Sequence, residues 1–160
     1  MQTRFKFKTG LLALFVLLAV GLTSCEEDIT LPGGVMDSGL LVAGRVGGTW
    51  AKPTNIVTPS GVPAEVFGAM RLVFTTDPNG QPAKFLAQDC PIVFEAKEGD
   101  WTITGNQEKA TIKLAGIAPV DEFSAKVSSN NLIINFKMGW ENTETGATGE
   151  GDFSVTLSRQ

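Results

Sequence analysis

Two cysteines, Cys25 and Cys90, a scatter of carboxylates and no histidine are what this 160-residue chain offers for chemistry. Without His, the commonest general base, the commonest zinc ligand and every Ser-His or Cys-His nucleophile pair are gone. Cys25 ends the run Leu22-Thr23-Ser24-Cys25, directly after an apolar stretch, whereas Cys90 precedes Pro91 at the head of another apolar run. If Cys25 is consumed as a thioether, Cys90 has no partner in its own chain. It then reads as a small buried hydrophobe or, less plainly, as a reactive thiol. Glu141, Glu144, Glu150 and Asp152 lie in or beside a stretch rich in Gly, Ala and Thr, and oxygen ligands on pliant turns are what calcium requires. No recognised calcium-loop spacing is present, so a solvated acidic loop is the simpler reading. A glycosidase built on carboxylates alone would need two of them facing each other across a cleft. No phosphate-binding loop, redox pair or nucleophile elbow occurs. The expectation is a protein that is not an enzyme and uses no metal or cofactor.

The N-terminus has three zones: a basic start with Arg4, Lys6 and Lys8, an apolar run from Leu11 to Val20, and the small-residue exit Gly21 to Cys25. That order is the pattern of an export signal over residues 1–24, cleaved between Ser24 and Cys25. As a membrane-spanning helix, Gly10 to Leu22 would reach only roughly 20 Å, against about 30 Å of bilayer hydrocarbon.

Leu22-Thr23-Ser24-Cys25 resembles the bacterial lipobox, in which a lipoprotein signal peptidase cuts just before a lipid-modified cysteine. The resemblance implies a diacylglyceryl group on the Cys25 sulfur and an acyl chain such as palmitate on its amine. Two or more chains, at about 0.8 kcal/mol per buried methylene, hold a protein on a membrane almost irreversibly. The acidic run Glu26-Glu27-Asp28 lies within a Debye length of about 8 Å of such an anchor, where anionic headgroups repel it. The run resembles the signal that sends Bacteroidetes-type lipoproteins to the cell surface. It implies an outer-membrane location with the domain exposed outside, the periplasmic face being the alternative.

The signal carries three of the 13 Lys and Arg, so the chain from Cys25 has 10 against 17 Asp and Glu, a net charge of −7. Such a balance argues against nucleic acid and against electrostatic adhesion to anionic lipid, since both need clustered cations. Membrane contact would come from the acyl chains. Residues 25–40, acidic and then rich in Pro and Gly, read as a flexible tether with a root-mean-square span of roughly 20 Å.

Residues 41–160 read as one all-β domain, with apolar residues at a period of two in short runs and no helical periodicity of useful length. The clearest runs contain Met70-Leu72-Phe74, Ile112-Leu114, Phe123-Ala125-Val127, Leu132 to Met138, and Phe153-Val155-Leu157. Shorter candidate strands are Leu41 to Trp50, Asn55 to Thr58, Lys84 to Gln88 and Pro91 to Ala96. Asp77-Pro78-Asn79-Gly80, Gly105-Asn106 and Ser129-Asn130-Asn131 supply turns, and Glu141 to Gly151 reads as the longest loop between two clear strands. Such strands, one face dry and one wet, imply an antiparallel barrel or, as the alternative, a β-sandwich.

Gly48-Thr49-Trp50 resembles the Gly-x-Trp of lipocalins, in which the Trp plugs one end of an eight-stranded barrel under an Arg from the last strand. Arg159, at the end of the last expected strand, matches that Arg. Residues 44–160 are similar to the lipocalin-like domains of Bacteroidetes-type envelope lipoproteins, through the opening Trp, a Gly99-Asp100-Trp101-Thr102-Ile103 strand and a closing Phe153-Ser154-Val155-Thr156-Leu157 strand. The resemblance implies an up-and-down barrel of about eight strands and a task of binding, either a small apolar ligand inside or a protein partner at the rim. The alternative is an accessory subunit of an outer-membrane assembly, with a filled barrel. No disulfide and no clear helix before the last strand set it apart from larger lipocalins. A pocket lined by Phe would favour the ligand, and a packed interior beside an exposed apolar patch would favour the protein.

Overall fold

A computed structural model describes residues 38–95 and 98–160. Signal, cleavage site, Cys25, Glu26, Glu27 and Asp28 lie outside the described residues. Helix α1 (Ser38–Val46) leads into β1 (Gly48–Val57), a 3-10 turn (Ala64–Phe67), β2 (Arg71–Thr76), β3 (Pro82–Gln88), β4 (Glu98–Gly105), β5 (Ala110–Leu114), β6 (Glu122–Val127), β7 (Asn131–Asn142) and β8 (Ala147–Arg159). All neighbours in the order β1 to β8 pair antiparallel, and β1 pairs with β8, so the sheet closes into an eight-stranded up-and-down barrel. The sandwich alternative is thereby excluded.

Closure depends on β1, which must curve to reach both β2 and β8. Lys52 and Asn55 have positive φ of 54° and 47°, and the β1–β8 register shifts between Ala51 and Thr54 and again between Thr54 and Val57. Two bulges therefore bend the strand, and Pro53, which can donate no ladder hydrogen bond, sits in the first of them.

The period of two places one apolar set inside. Leu132, Ile134, Phe136 and Met138 of β7 are buried while Asn131, Asn135, Lys137 and Gly139 are exposed, and β6 and β5 alternate likewise. The outer wall carries cross-strand ion pairs, Lys84–Asp100 at 2.6 Å, Lys113–Glu122 at 2.8 Å and Lys137–Glu150 at 3.4 Å. Polar outside and apolar inside is the reverse of a membrane-spanning barrel, whose lipid-facing band is apolar. No helix among the described residues is long and apolar enough to cross a membrane.

Three sequence expectations are corrected. Leu41 to Trp50 is not one strand, because Ser38–Val46 is helical, and the helix takes in the last residues assigned to the tether. Val42 and Val46 disfavour a helix by propensity, but at this spacing they and Ala43 share one face, buried against the barrel end, and burial outweighs propensity. Pro91 to Glu95, the described part of another candidate strand, forms turns with one isolated bridge, Phe94 to Pro119. Glu141 to Gly151 is no long loop, since β7 and β8 stay paired out to Asn142 and Ala147. Asn142 makes the difference: its Oδ1 accepts the N–H of Glu144 and Thr145, which closes a tight turn ending at Gly146 with φ 69°.

The expected turn at Asp77-Pro78-Asn79-Gly80 forms, with Asp77 Oδ1 accepting from the N–H of Asn79 and Gln81 at 2.8 Å each.

Candidate functional site

The barrel has two ends of different chemistry. One, the α1 end, gathers helix α1, the β2–β3, β4–β5 and β6–β7 turns and the end of β8. The other, here the rim, gathers segments 58–70, 89–95, 115–121 and 143–146.

Trp50 and Arg159 meet at the α1 end. They are direct partners in the β1–β8 register, and the Arg159 guanidinium carbon stands 4.3 Å from the Trp50 ring centroid. Trp50 is fully buried and donates its indole N–H to Val46 O at 2.7 Å, which ties the ring to the last residue of α1. Arg159 donates Nε to Ser129 O at 3.0 Å, Nη1 to Gly47 O at 2.9 Å and Nη2 to Arg45 O. A cation thus satisfies carbonyls at and just beyond the C-terminus of a helix, where the helix dipole is negative. Gly48 has φ 132°, and a Cβ there would stand 2.7 Å from Arg159 Nη1, so the Gly of Gly-x-Trp makes room for the guanidinium. The cluster staples helix, first strand, last strand and the β6–β7 turn together. It presents no group for catalysis.

The interior is occupied by rings. Phe74 lies 5.1 Å from both Phe85 and Trp101, and Phe94 reaches in from segment 89–95 to stand 5.2 Å from Phe85. Toward the rim, Phe67 of the 3-10 turn inserts beside Phe153 at 5.7 Å and Phe136 at 6.2 Å, the last two stacked at 5.4 Å. All of these side chains are buried. Phe67 stands where a ligand would enter a hollow barrel.

A cleft of about 560 Å³ lies on the rim, between segment 61–66, Ile92 and the end of the β7–β8 hairpin. The hairpin makes the cleft because it outruns its neighbours: β6 accompanies β7 only from Asn135 inward, and β1 accompanies β8 only from Ser154 inward. On its inner face Trp140 lies over its register partner Gly149, where a Cβ would meet the indole at 2.8 Å. Gly151 leaves room for Pro59 in the same way, with 2.3 Å to a built Cβ. Segment 58–62 therefore folds over the hairpin, held also by Asn142 Nδ2 donating to Gly61 O at 3.4 Å.

The cleft shows water an apolar surface, with Ile92 48% and Val66 38% exposed beside Val62, Met138 and Trp140. Trp50 and Trp101 give their indole N–H groups to backbone carbonyls, whereas that of Trp140 has no acceptor among the described residues. Sequence reading missed this site, since its parts come from three distant segments. Ile92 was read as part of the candidate strand Pro91 to Ala96, and Val66 lay outside every candidate strand.

Cys90 is 2% exposed, with Sγ 3.3 Å from Gln88 O, and burial pushes its thiol up to about 11. It is a protonated, packed side chain at neutral pH. The four carboxylates of 141–152 separate: Glu141 and Glu144 border the rim cleft, while Glu150 pairs with Lys137 on the outer wall beside Asp152. Among the described residues no three His, Cys, Asp or Glu side chains converge as a metal site would require.

Fold and site together define a closed antiparallel eight-stranded barrel, polar outside and packed with aromatic rings, with an apolar cleft at one rim. No protein-family model matches the chain. No curated protein matches it significantly either.

Proposed function

We propose that the chain is a lipoprotein of Bacteroidetes type, cut before Cys25, held by acyl chains on that residue in the outer membrane and displayed at the cell surface, whose lipocalin-like barrel serves binding rather than catalysis. The partner is a protein docked at the rim, as befits an accessory subunit of an outer-membrane assembly. One observation carries the choice of partner: Phe67, Phe136 and Phe153 pack into the barrel mouth, and outside them the rim cleft shows Ile92 and Val66 to water. A small apolar ligand inside the barrel would have to displace those rings. The anchor rests on the lipobox-like run ending at Cys25, and surface display on Glu26-Glu27-Asp28.

Labelled palmitate is expected to enter the protein, and Cys25→Ala to abolish incorporation; label retained in the Ala variant ends the lipoprotein reading. Protease added to intact cells is expected to digest the domain, and Glu26→Ala, Glu27→Ala and Asp28→Ala together to leave it anchored but protected. A photo-crosslinking residue at Thr143 is expected to capture one envelope protein, and the same residue at Asn79 to capture none. Equal capture from both ends would refute docking at the rim.

A further inference from the structure

We infer that the rim cleft receives a segment of the protein partner in which an aliphatic or aromatic side chain is flanked by Lys or Arg. The inference rests on the rim-docking reading and adds the chemistry of what docks. The apolar half of the argument is the floor of Val62, Val66, Ile92, Met138 and Trp140, about 560 Å³ in extent, within the usual range of ligand sites. Its Trp, whose indole N–H has no acceptor among the described residues, is of the residue types that most often anchor a protein interface.

Charge complementarity settles the other half. Of the residues that line the cleft, the charged ones are Glu141 and Glu144, and none is Lys or Arg. The α1 end is balanced, with Arg45, Lys109 and Arg159 against Asp77 and Glu108. Glu141 and Glu144 border the cleft directly, and neither they nor Glu65 take part in the ion pairs of the described residues, all of which lie on the barrel wall or at the α1 end. A purely apolar occupant would strip water from Glu141 and Glu144 and give nothing back, a cost an exposed carboxylate avoids by staying wet. An anionic occupant would be repelled outright. A Lys or Arg beside the apolar side chain pairs with the carboxylates, or lies over the Trp140 face, while its neighbour covers Ile92 and Val66.

The test uses the full chain reconstituted in phosphatidylcholine vesicles, whose neutral surface does not itself attract cationic peptides, with empty vesicles as the blank. Three fluorescent tetrapeptides, amidated at the C-terminus, are compared by anisotropy: Lys-Leu-Phe-Lys, Glu-Leu-Phe-Glu and Lys-Ser-Ser-Lys. Binding of the first is expected to be at least tenfold tighter than of the other two. Ile92→Asp is expected to weaken it at least fivefold, and Glu141→Lys with Glu144→Lys to weaken it similarly while raising affinity for the acidic peptide. Equal binding of the acidic peptide to the unmodified chain, or binding of the basic one that neither variant changes, overturns the inference. If no peptide binds while the crosslinker at Thr143 still captures a partner, the chemistry assigned to the cleft is wrong and rim docking stands. Loss of the crosslink as well overturns both.

Discussion

At the α1 end the plug is tied down by its polar groups: the Trp50 indole holds Val46 O, and the Arg159 guanidinium spans the carbonyls of Arg45, Gly47 and Ser129. At the rim Ile92 and Val66 meet water, and among the described residues the Trp140 N–H has no acceptor and Glu141 and Glu144 enter no ion pair. Both ends are stoppered by aromatic side chains, yet at the α1 end the buried indole is bonded within the chain, whereas at the rim the partly buried Trp140 lines an open cleft. The lesson is that a closed barrel divides its labour, with one end spent on stability and the other kept unsatisfied and hence available.

If that division holds, the largest loss follows Trp50→Ala, expected to cost about 3–5 kcal/mol as a large buried truncation that also orphans Val46 O. Urea unfolding followed by circular dichroism measures it, and an unchanged midpoint would remove the α1 end as the stabilising half. Gly151→Ala probes a place where the rim is tightly packed. With Pro59 where the new methyl must go, about 1–3 kcal/mol is expected, and Pro59→Gly in the same chain is expected to recover part of it. Arg159→Ala should cost roughly 1–2 kcal/mol, less than Trp50→Ala, because the freed carbonyls of Ser129 and Arg45 can reach water.

Cys90 gives a pH-dependent comparison. Its thiol rises on folding from an ordinary 9.0 to about 11, so the unfolded chain releases that proton first as pH climbs. Stability is therefore unaffected by this group below about 9 and falls between about 9 and about 11, and the fall is expected to shrink in Cys90→Ala relative to the parent chain. The smallest effect belongs to the cleft: Ile92→Asp, at an exposed position, is expected to move unfolding by no more than about 0.5 kcal/mol. A large loss there would mean that Ile92 belongs to the core and not to a docking surface.

The strands were legible because one face of each is buried, which forces a period of two; Leu132 to Met138 and Phe153 to Leu157 could hardly be read otherwise. The pairing of Trp50 with Arg159 was legible only through a resemblance, since nothing in the spacing of residues 109 positions apart brings them together. Helix α1 was misread because its apolar face is short and Val42, Gly44 and Val46 disfavour a helix, so burial against the barrel end decides for it. The β7–β8 hairpin was read as a loop because its Gly residues look like flexibility. Gly149 and Gly151 are instead seats for Trp140 and Pro59.

By itself, then, the sequence determined the all-β class, the antiparallel alternation, the turn chemistry and the acidic balance, because these depend on neighbours a few residues apart. Barrel closure, the filled mouth and the rim cleft were decided by tertiary structure alone. Each depends on residues distant in sequence, such as Ile92 and Trp140, which line one cleft, or Phe67 and Phe153, which pack together, and their meeting is set by which strands pair and how far each runs past the next.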